Sequence, residues 1–387
     1  NVLAVFVACQ QSGISDVVKK ETALGLYRTP TGSKRAIMVG NSMAVEAALR
    51  LAPASDYPIL IANDEFYGGL GGRYAITTRS LTSGTMVLRH ELGHNFGQVG
   101  EEYDGGQVYS GANHSASALG GLPWKHWLTQ PQAATQVQAT DFVSGAYLWQ
   151  NLSAGAAKVR FDFPSSATTG RFAGIISAVG WETPDDVTAF LDGQRVAMVG
   201  EFGPDRTFFE LDPALTLAPG SHNLEFAEKI HDGDNVLAFA MLYSFDPGYD
   251  DSPDRVAAYP TFRDPGSSSG YRPTHDSCLM REMRSPRFCS VDQENMWRRF
   301  LSQISLIDSL SVRAGVVTLV APPLGDGLDV RWYRLTSGLF PGSLPTETEL
   351  PELAGKYEWT LNPAQSSMKY RVRVRFSTPE VRQTTDR

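Results

Sequence analysis

The segment "VLRHELGHNFGQVGEEYDGG", residues 87–106, constrains this chain most, with two histidines, four carboxylates and five glycines in twenty positions. A helix turns once in about 3.6 residues, so side chains four apart lie on one face. His90 and His94 can therefore point their imidazoles at one ion, with Glu91 projecting beside them. This is the H-E-x-x-H arrangement, in which two histidines hold zinc and the glutamate acts as general base. The chain must then provide a helix near Ser83 or Thr85, either of which suits the N-cap, and a break after the second histidine. Gly97 is a natural place for that helix to stop and reverse. A catalytic zinc needs three protein ligands and one open position. Glu101 and Glu102, just past the turn, are the candidates for the third. Neighbours in extended chain point to opposite sides, so only one of them is expected to bind.

The surrounding sequence suits an α/β layer. "NVLAVFVA" reads as a buried strand, "KRAIMVG" (34–40) as a second and "YPILIAN" (57–63) as a third. "SMAVEAALRLA" (42–52) carries a helical apolar stripe, and alternation of this kind marks α/β organisation. "EFYGGLGGRYAITTR" (65–79) suits an irregular edge strand beside a site. Gly68, Gly69, Gly71 and Gly72 would let a substrate backbone pair along it. From about residue 135 the style changes to short alternating strands separated by turns, with Asp192-Gly193 a strong hairpin signal. This predicts a β-sandwich that ends near "DPGYDDSPD" (246–254). "NMWRRFLSQISLIDSL" (295–310) reads as an amphipathic helix. Residues 312–387, including "LDVRWYRL" and "KYRVRVRF", suggest a small Ig-like sandwich.

Composition narrows the function. The formal charge of −8 and a 42% hydrophobic content suit a folded protein with no affinity for nucleic acid or anionic membrane. The alternating Lys369, Arg371, Arg373 and Arg375 read as a solvated edge rather than a nucleic-acid stripe. Three cysteines cannot build a disulfide framework, but Cys278 and Cys289 could bridge in an oxidising compartment, leaving Cys9 alone in the first strand. Asn113-His-Ser and Asn151-Leu-Ser are glycosylation sequons, which also fit a secreted protein. Asp250, Asp251 and Asp254 lack the ligand spacing of a calcium loop, so Ca2+ has no support there. Trp149, Trp181, Phe208 and Phe209 could serve a glycan- or protein-binding face, although burial suits most of them.

"ILIANDEFYGGLGGRYAITT" followed by "HELGHNFGQVGEEYDGG" resembles the M64 peptidases, called IgA peptidases and related to the metzincins. A second block, "YPTFRDPGSSSGYRPTHDSCLMREMRSPRFCSVDQENMW" (259–297), is similar to that family's downstream segment. The resemblance covers about 1–130 and 255–387. It implies a metzincin-like α+β catalytic domain built from residues 1–134 and 249–311, interrupted by the sandwich at 135–248 and followed by the one at 312–387. It implies one catalytic zinc on His90, His94 and Glu101, with Glu102 the alternative, and Glu91 as base. It also implies Met280 as the methionine turn beneath the metal. The metzincin spacing puts a His or Asp where this chain has Gly100; the acid comes one position later. Tyr271 and His275, just before the turn, become candidates for oxyanion or substrate binding. The implied activity is hydrolysis of a protein or peptide by a secreted zinc endopeptidase. The competing reading is a secreted glycan- or protein-binding module with a non-catalytic metal site.

Overall fold

The computed structural model describes residues 2–29, 34–53, 55–105, 109–118, 121–130, 140–163, 171–336, 345–365 and 367–383. The expected boundary at 134/135 lies outside them. The chain divides into two compact units, Asn1–Asn295 and Met296–Arg387.

The α/β layer of the first unit is small. Helix α1, Ser42–Leu49, is capped by Asn41, whose Oδ1 accepts from the Ala44 N–H at 3.1 Å. The strands Ile59–Ala62 and Ala75–Thr78 pair in parallel, and Gly69–Leu70 adds antiparallel to Ala75–Thr78. The central strand of this sheet is thus Ala75–Thr78, buried throughout, and the edge expected over 65–79 is confined to Gly69–Leu70. Ile37, Val45, Leu60 and Ile76 form the core beneath it. "KRAIMVG" yields only the two-residue strand Met38–Val39. The N-terminal stretch is a larger correction. Residues 2–9 belong to no strand, Val2 and Phe6 are almost fully exposed, and Cys9 is exposed. Apolar, β-branched composition alone does not make a strand; it needs a ladder partner.

Residues 140–245 build two antiparallel sheets of four and six strands around one core that includes Phe161, Ile176, Trp181, Phe209 and Leu237. The Asp192-Gly193 turn joins Val187–Leu191 to Gln194–Val196, with positive φ at both residues, as a tight hairpin requires. The strand Val236–Phe245 is buried on both faces. Leu237, Ala240 and Leu242 enter the core between the sheets, whereas Phe239, Met241, Tyr243 and Phe245 join Phe142 and Phe262 on the other side. A register shift between Leu237 and Phe239 helps seat both sets. The continuous apolar run in this strand therefore reflects a sheet whose outer face packs on residues 259–264 of the same unit.

Helix α3 spans Ser290–Gln303, starting five residues earlier and stopping seven earlier than the apolar stripe suggested. Residues 309–313 are instead a strand. The second unit carries two three-stranded antiparallel sheets around Val317, Leu319, Val330 and Trp332. Lys369–Phe376 is an edge strand there, and Arg371 and Arg373 both pair with Glu347. No helix among the described residues is long and apolar enough to cross a membrane.

Candidate metal centre

Helix α2, Gly84–Leu92, carries His90 and Glu91 and passes directly into a five-residue π-turn, Gly93–Gly97, which carries His94. Single π-turns are frequent at functional sites, where widening the helix re-aims a side chain. The reversal expected at Gly97 falls on Gln98, which takes the left-handed conformation (φ 53°) and returns its N–H to the Gly93 and His94 carbonyls. Ser83 occupies the N-cap position without capping. Its hydroxyl, with those of Ser80 and Thr82, donates to Asp205 Oδ2 at 2.7–2.9 Å. Asp205 comes from the inserted sheets, so a carboxylate from the insertion sits at the positive end of the histidine helix.

The two imidazoles converge. His90 Nε2 and His94 Nε2 are 3.2 Å apart, and Glu101 Oε1 and Oε2 lie 3.1 and 3.3 Å from His94 and His90 respectively. Each ring's other nitrogen faces a backbone carbonyl, Leu279 O for His90 at 3.0 Å and Val99 O for His94 at 2.9 Å. A Nδ1–H donated to those oxygens leaves both Nε2 lone pairs aimed at the same point. Three donor groups within metal-ligand spacing, two of them imidazoles meeting lone pair to lone pair, fit a cation of the kind held by nitrogen and oxygen ligands. Electrostatics agrees. Burial opposes charging both histidines, yet Glu101 raises His90 and drives His94 up to about 9. Burial likewise opposes the Glu101 charge, but His90 and His94 hold its carboxyl far below the ordinary range. The site is a preformed anion–imidazole cluster that stabilises positive charge.

Glu102 turns the other way. Its Oε1 accepts from Asn113 at 3.0 Å, its N–H donates to Met280 O at 3.0 Å, and the side chain is buried beside Cys278, Cys289 and Asp292. Extended backbone puts adjacent side chains on opposite sides, which separates the two acids. Tyr103, absent from the sequence-based candidates, donates its hydroxyl to Glu101 Oε1 at 2.8 Å. Met280 lies under Gly93, where an added Cβ would come within 2.6 Å of its sulfur. Asp104, fully buried, joins three parts of the unit by accepting from the Phe262 N–H, Tyr243 OH and Arg281 Nη1 at 2.8–3.0 Å.

A cleft of about 600 Å³ opens over this centre. One side is Arg35, Gly71 and Glu91; the opposite wall is the outer face of the inserted sheets, with Ile175, Phe208, Phe239 and Met241. Sequence reasoning set the insertion apart as a separate module and so missed this wall. The continuous apolar run at 236–245 was its signal. Tyr271 and His275 do not line the cleft. Tyr271 is held in a strand, exchanging backbone hydrogen bonds with Ser115, and His275 is locked between Tyr249 and Asp276. Pairing of a substrate along the glycine edge is obstructed at Gly69, whose N–H and C=O already serve Arg35 and Ile37.

The structure bears on the remaining readings too. Cys278 and Cys289 are free thiols; Cys278 Sγ sits 3.0 Å from Asp292 Oδ2 and accepts from the Cys289 N–H. Asn113 is buried and fully engaged with Gly100 and Glu102, so that sequon is inaccessible. Asp250, Asp251 and Asp254 each pair with an arginine, Arg255, Arg171 and Arg287 respectively. Trp181 and Phe209 are fully buried in the core and cannot form a binding face.

Residues 1–143 match the family described as IgA Peptidase M64. The match covers little more than a third of the chain, and what it shows is that this region is similar to that peptidase family. The matched residues include the helix, both histidines and both candidate acids, and stop before the segment with Met280. No curated protein matches the chain. Among solved structures, a β-glucuronidase from Ruminococcus gnavus is similar at 8% identity and TM-score 0.17, covering 62% of this chain and 34% of its own. A Paenibacillus cycloisomaltooligosaccharide glucanotransferase is similar at 11% identity and TM-score 0.17, covering 58% and 44%. The chain thus spans well under half of either enzyme, and likeness at that level defines no common fold.

Proposed function

We propose that the chain is a zinc-dependent endopeptidase, with His90, His94 and Glu101 as metal ligands and Glu91 as general base. The observation that carries this reading is the convergence of those three donors at the floor of a cleft that also presents the Glu91 carboxylate. Zinc bound there would polarise the scissile carbonyl and lower the pKa of a coordinated water. Glu91 takes a proton from water in the cleft and returns it to the leaving amine. Burial raises its carboxyl above the ordinary value, His90 and His94 opposing, which brings it closer to a working pH where it can both accept and give up a proton. Arg35 lines the same cleft with its guanidinium over the Tyr103 ring, and from there it can orient the substrate carbonyl. The apolar wall of Ile175, Phe208, Phe239 and Met241 takes a hydrophobic substrate side chain and excludes water. An extracellular setting belongs to this reading, and of the two sequons only Asn151 is half-exposed.

The competing class, a binding module with a structural metal, gives Glu91 no role, although that carboxylate faces the cleft. Hydrolysis of an unfolded protein by the wild type and by Glu91→Ala, with and without a zinc chelator, separates the two. Loss of the base is expected to cost about 10²–10⁴-fold in kcat. A Glu91→Ala chain as active as wild type would sink the mechanism.

A further inference from the structure

Beneath the candidate catalytic centre, on the side to which Glu102 points, lie four further groups with metal-ligand chemistry. Glu102, Cys278, Cys289 and Asp292 are all buried, and one donor atom of each lies within 4.8 Å of the other three. They come from three separate places: the loop after the histidine helix, the methionine turn and the start of α3. Cys289 and Asp292 are three apart at that helix start and so share a face. The cluster is not a saturated hydrogen-bond network. Glu102 Oε2 and Asp292 Oδ1 have no hydrogen-bond partner among the described residues, although both side chains are at least nine-tenths buried. Buried polar oxygens are nearly always satisfied, and two orphans facing two thiols require an explanation. Four groups that all become anions, gathered in one dry place, are costly without a cation.

We infer that these four residues form a second, structural zinc site, separate from the proposed catalytic one. Two thiolates and two carboxylates make a closed four-coordinate set, the arrangement that distinguishes structural from catalytic zinc. Zinc–sulfur and zinc–oxygen bonds of about 2.3 and 2.1 Å separate ligand atoms in a tetrahedron by about 3.4–3.8 Å. The 3.0 Å between Cys278 Sγ and Asp292 Oδ2, and the 4.8 Å upper bound, bracket that span, so ångström-scale side-chain movements suffice. Binding releases the thiol protons, and the oxidation state of every atom is unchanged. Arg281 lies alongside, its Nη1 3.4 Å from Glu102 O and its backbone N–H donating to Cys278 O, with its guanidinium paired to Asp104 and Asp276.

The position gives the site its purpose. Cys278 is followed by Leu279, whose carbonyl orients His90, and by Met280, whose carbonyl receives the Glu102 N–H. A metal there would clamp Glu101 through its neighbour and His90 through the turn. The site is thus a positioning element for the upper centre.

The test uses the full chain in a Cys9→Ser background, so that the exposed thiol cannot contribute. Metal content is measured after zinc loading, and Co2+ is substituted to look for the near-ultraviolet sulfur-to-cobalt charge-transfer band. The upper centre has no sulfur ligand, so this band can arise only from the cluster. About two equivalents of metal are expected, falling to about one in His90→Ala/His94→Ala with the band intact. Cys289→Ser should lose the band. Because that variant may fail to fold, Asp292→Cys provides a second test: it keeps a four-ligand set and should strengthen the band. One equivalent in the wild type, none in the double-histidine variant and no sulfur band would overturn the inference. Thiol counting would then tell a Cys278–Cys289 disulfide from a proton-sharing acid cluster. Neither result depends on peptidase activity, so a failed activity assay leaves the test readable.

Discussion

Tyr103→Phe removes one oxygen atom, and the structure sets the size of the effect. The hydroxyl donates to Glu101 Oε1 at 2.8 Å. Burial, then the Glu101 charge, push it well above the ordinary tyrosine value, so it stays a donor at any working pH. A hydrogen bond to a charged group contributes about 1.5–3 kcal/mol. Tenfold in affinity corresponds to about 1.4 kcal/mol, so zinc binding should weaken about 10–100-fold, the range typical of groups that orient metal ligands. Phenylalanine keeps the ring that Arg35 covers at 5.8 Å from its centroid, so packing should survive. The assay is zinc competition against a chromophoric chelator, with thermal unfolding of the metal-free chain as the control for folding. At saturating zinc, kcat should fall much less than affinity does. An affinity within twofold of wild type, in a folded variant, would refute Glu101 as the ligand that Tyr103 orients.

Further outcomes follow from the same geometry. In Gly71→Ala the new Cβ would meet Glu91 Oε2 at 2.7 Å, and the flexible carboxylate must give way. A displacement near 1 Å costs about 10²-fold in kcat, and because the new Cβ also meets His94 at 3.3 Å, zinc content is measured alongside; unchanged kcat would argue against Glu91 as base. Asp104→Ala removes the buried carboxylate that pairs with Arg281 Nη1 and Tyr243 OH, leaving Arg281 only Asp276, at about 3–5 kcal/mol. For a unit spanning residues 1–295, scanning calorimetry should record a midpoint drop of roughly 5–8 °C, and a drop under about 2 °C would contradict the proposed hub. His222 lies beside Asp192 at 2.6 Å and, despite burial, has its pKa raised by that partner. Its stabilising contribution is therefore complete below the unfolded value near 6.5 and lost as pH rises through the folded one. Proton NMR titration should find His222 above that value and Asp192→Asn should return it; equal values in both chains would dismiss the pair.

The histidine helix was legible because its chemistry is local. Four-residue spacing puts His90 and His94 on one face whatever surrounds them, and the adjacent-residue alternation allows only one of Glu101 and Glu102 to join them. Hairpins such as Asp192-Gly193 were legible for the same reason, since the turn's backbone requirement is met by the two residues themselves. The N-terminal apolar run shows the opposite limit: its composition is that of a strand, yet pairing depends on residues elsewhere.

Choosing between Glu101 and Glu102 required knowing that Asn113, Met280 and Asp292 wait on one side and both imidazoles on the other. The role of the insertion was likewise decided only in three dimensions. Periodicity can tell that residues 236–245 are buried on both faces, but it cannot say that one face closes a cleft or that Asp205 braces the helix it faces. Local sequence determines which donors share a turn. Which distant chain segments bring the remaining donors, and what wall stands opposite, depends on long-range packing that no short spacing encodes.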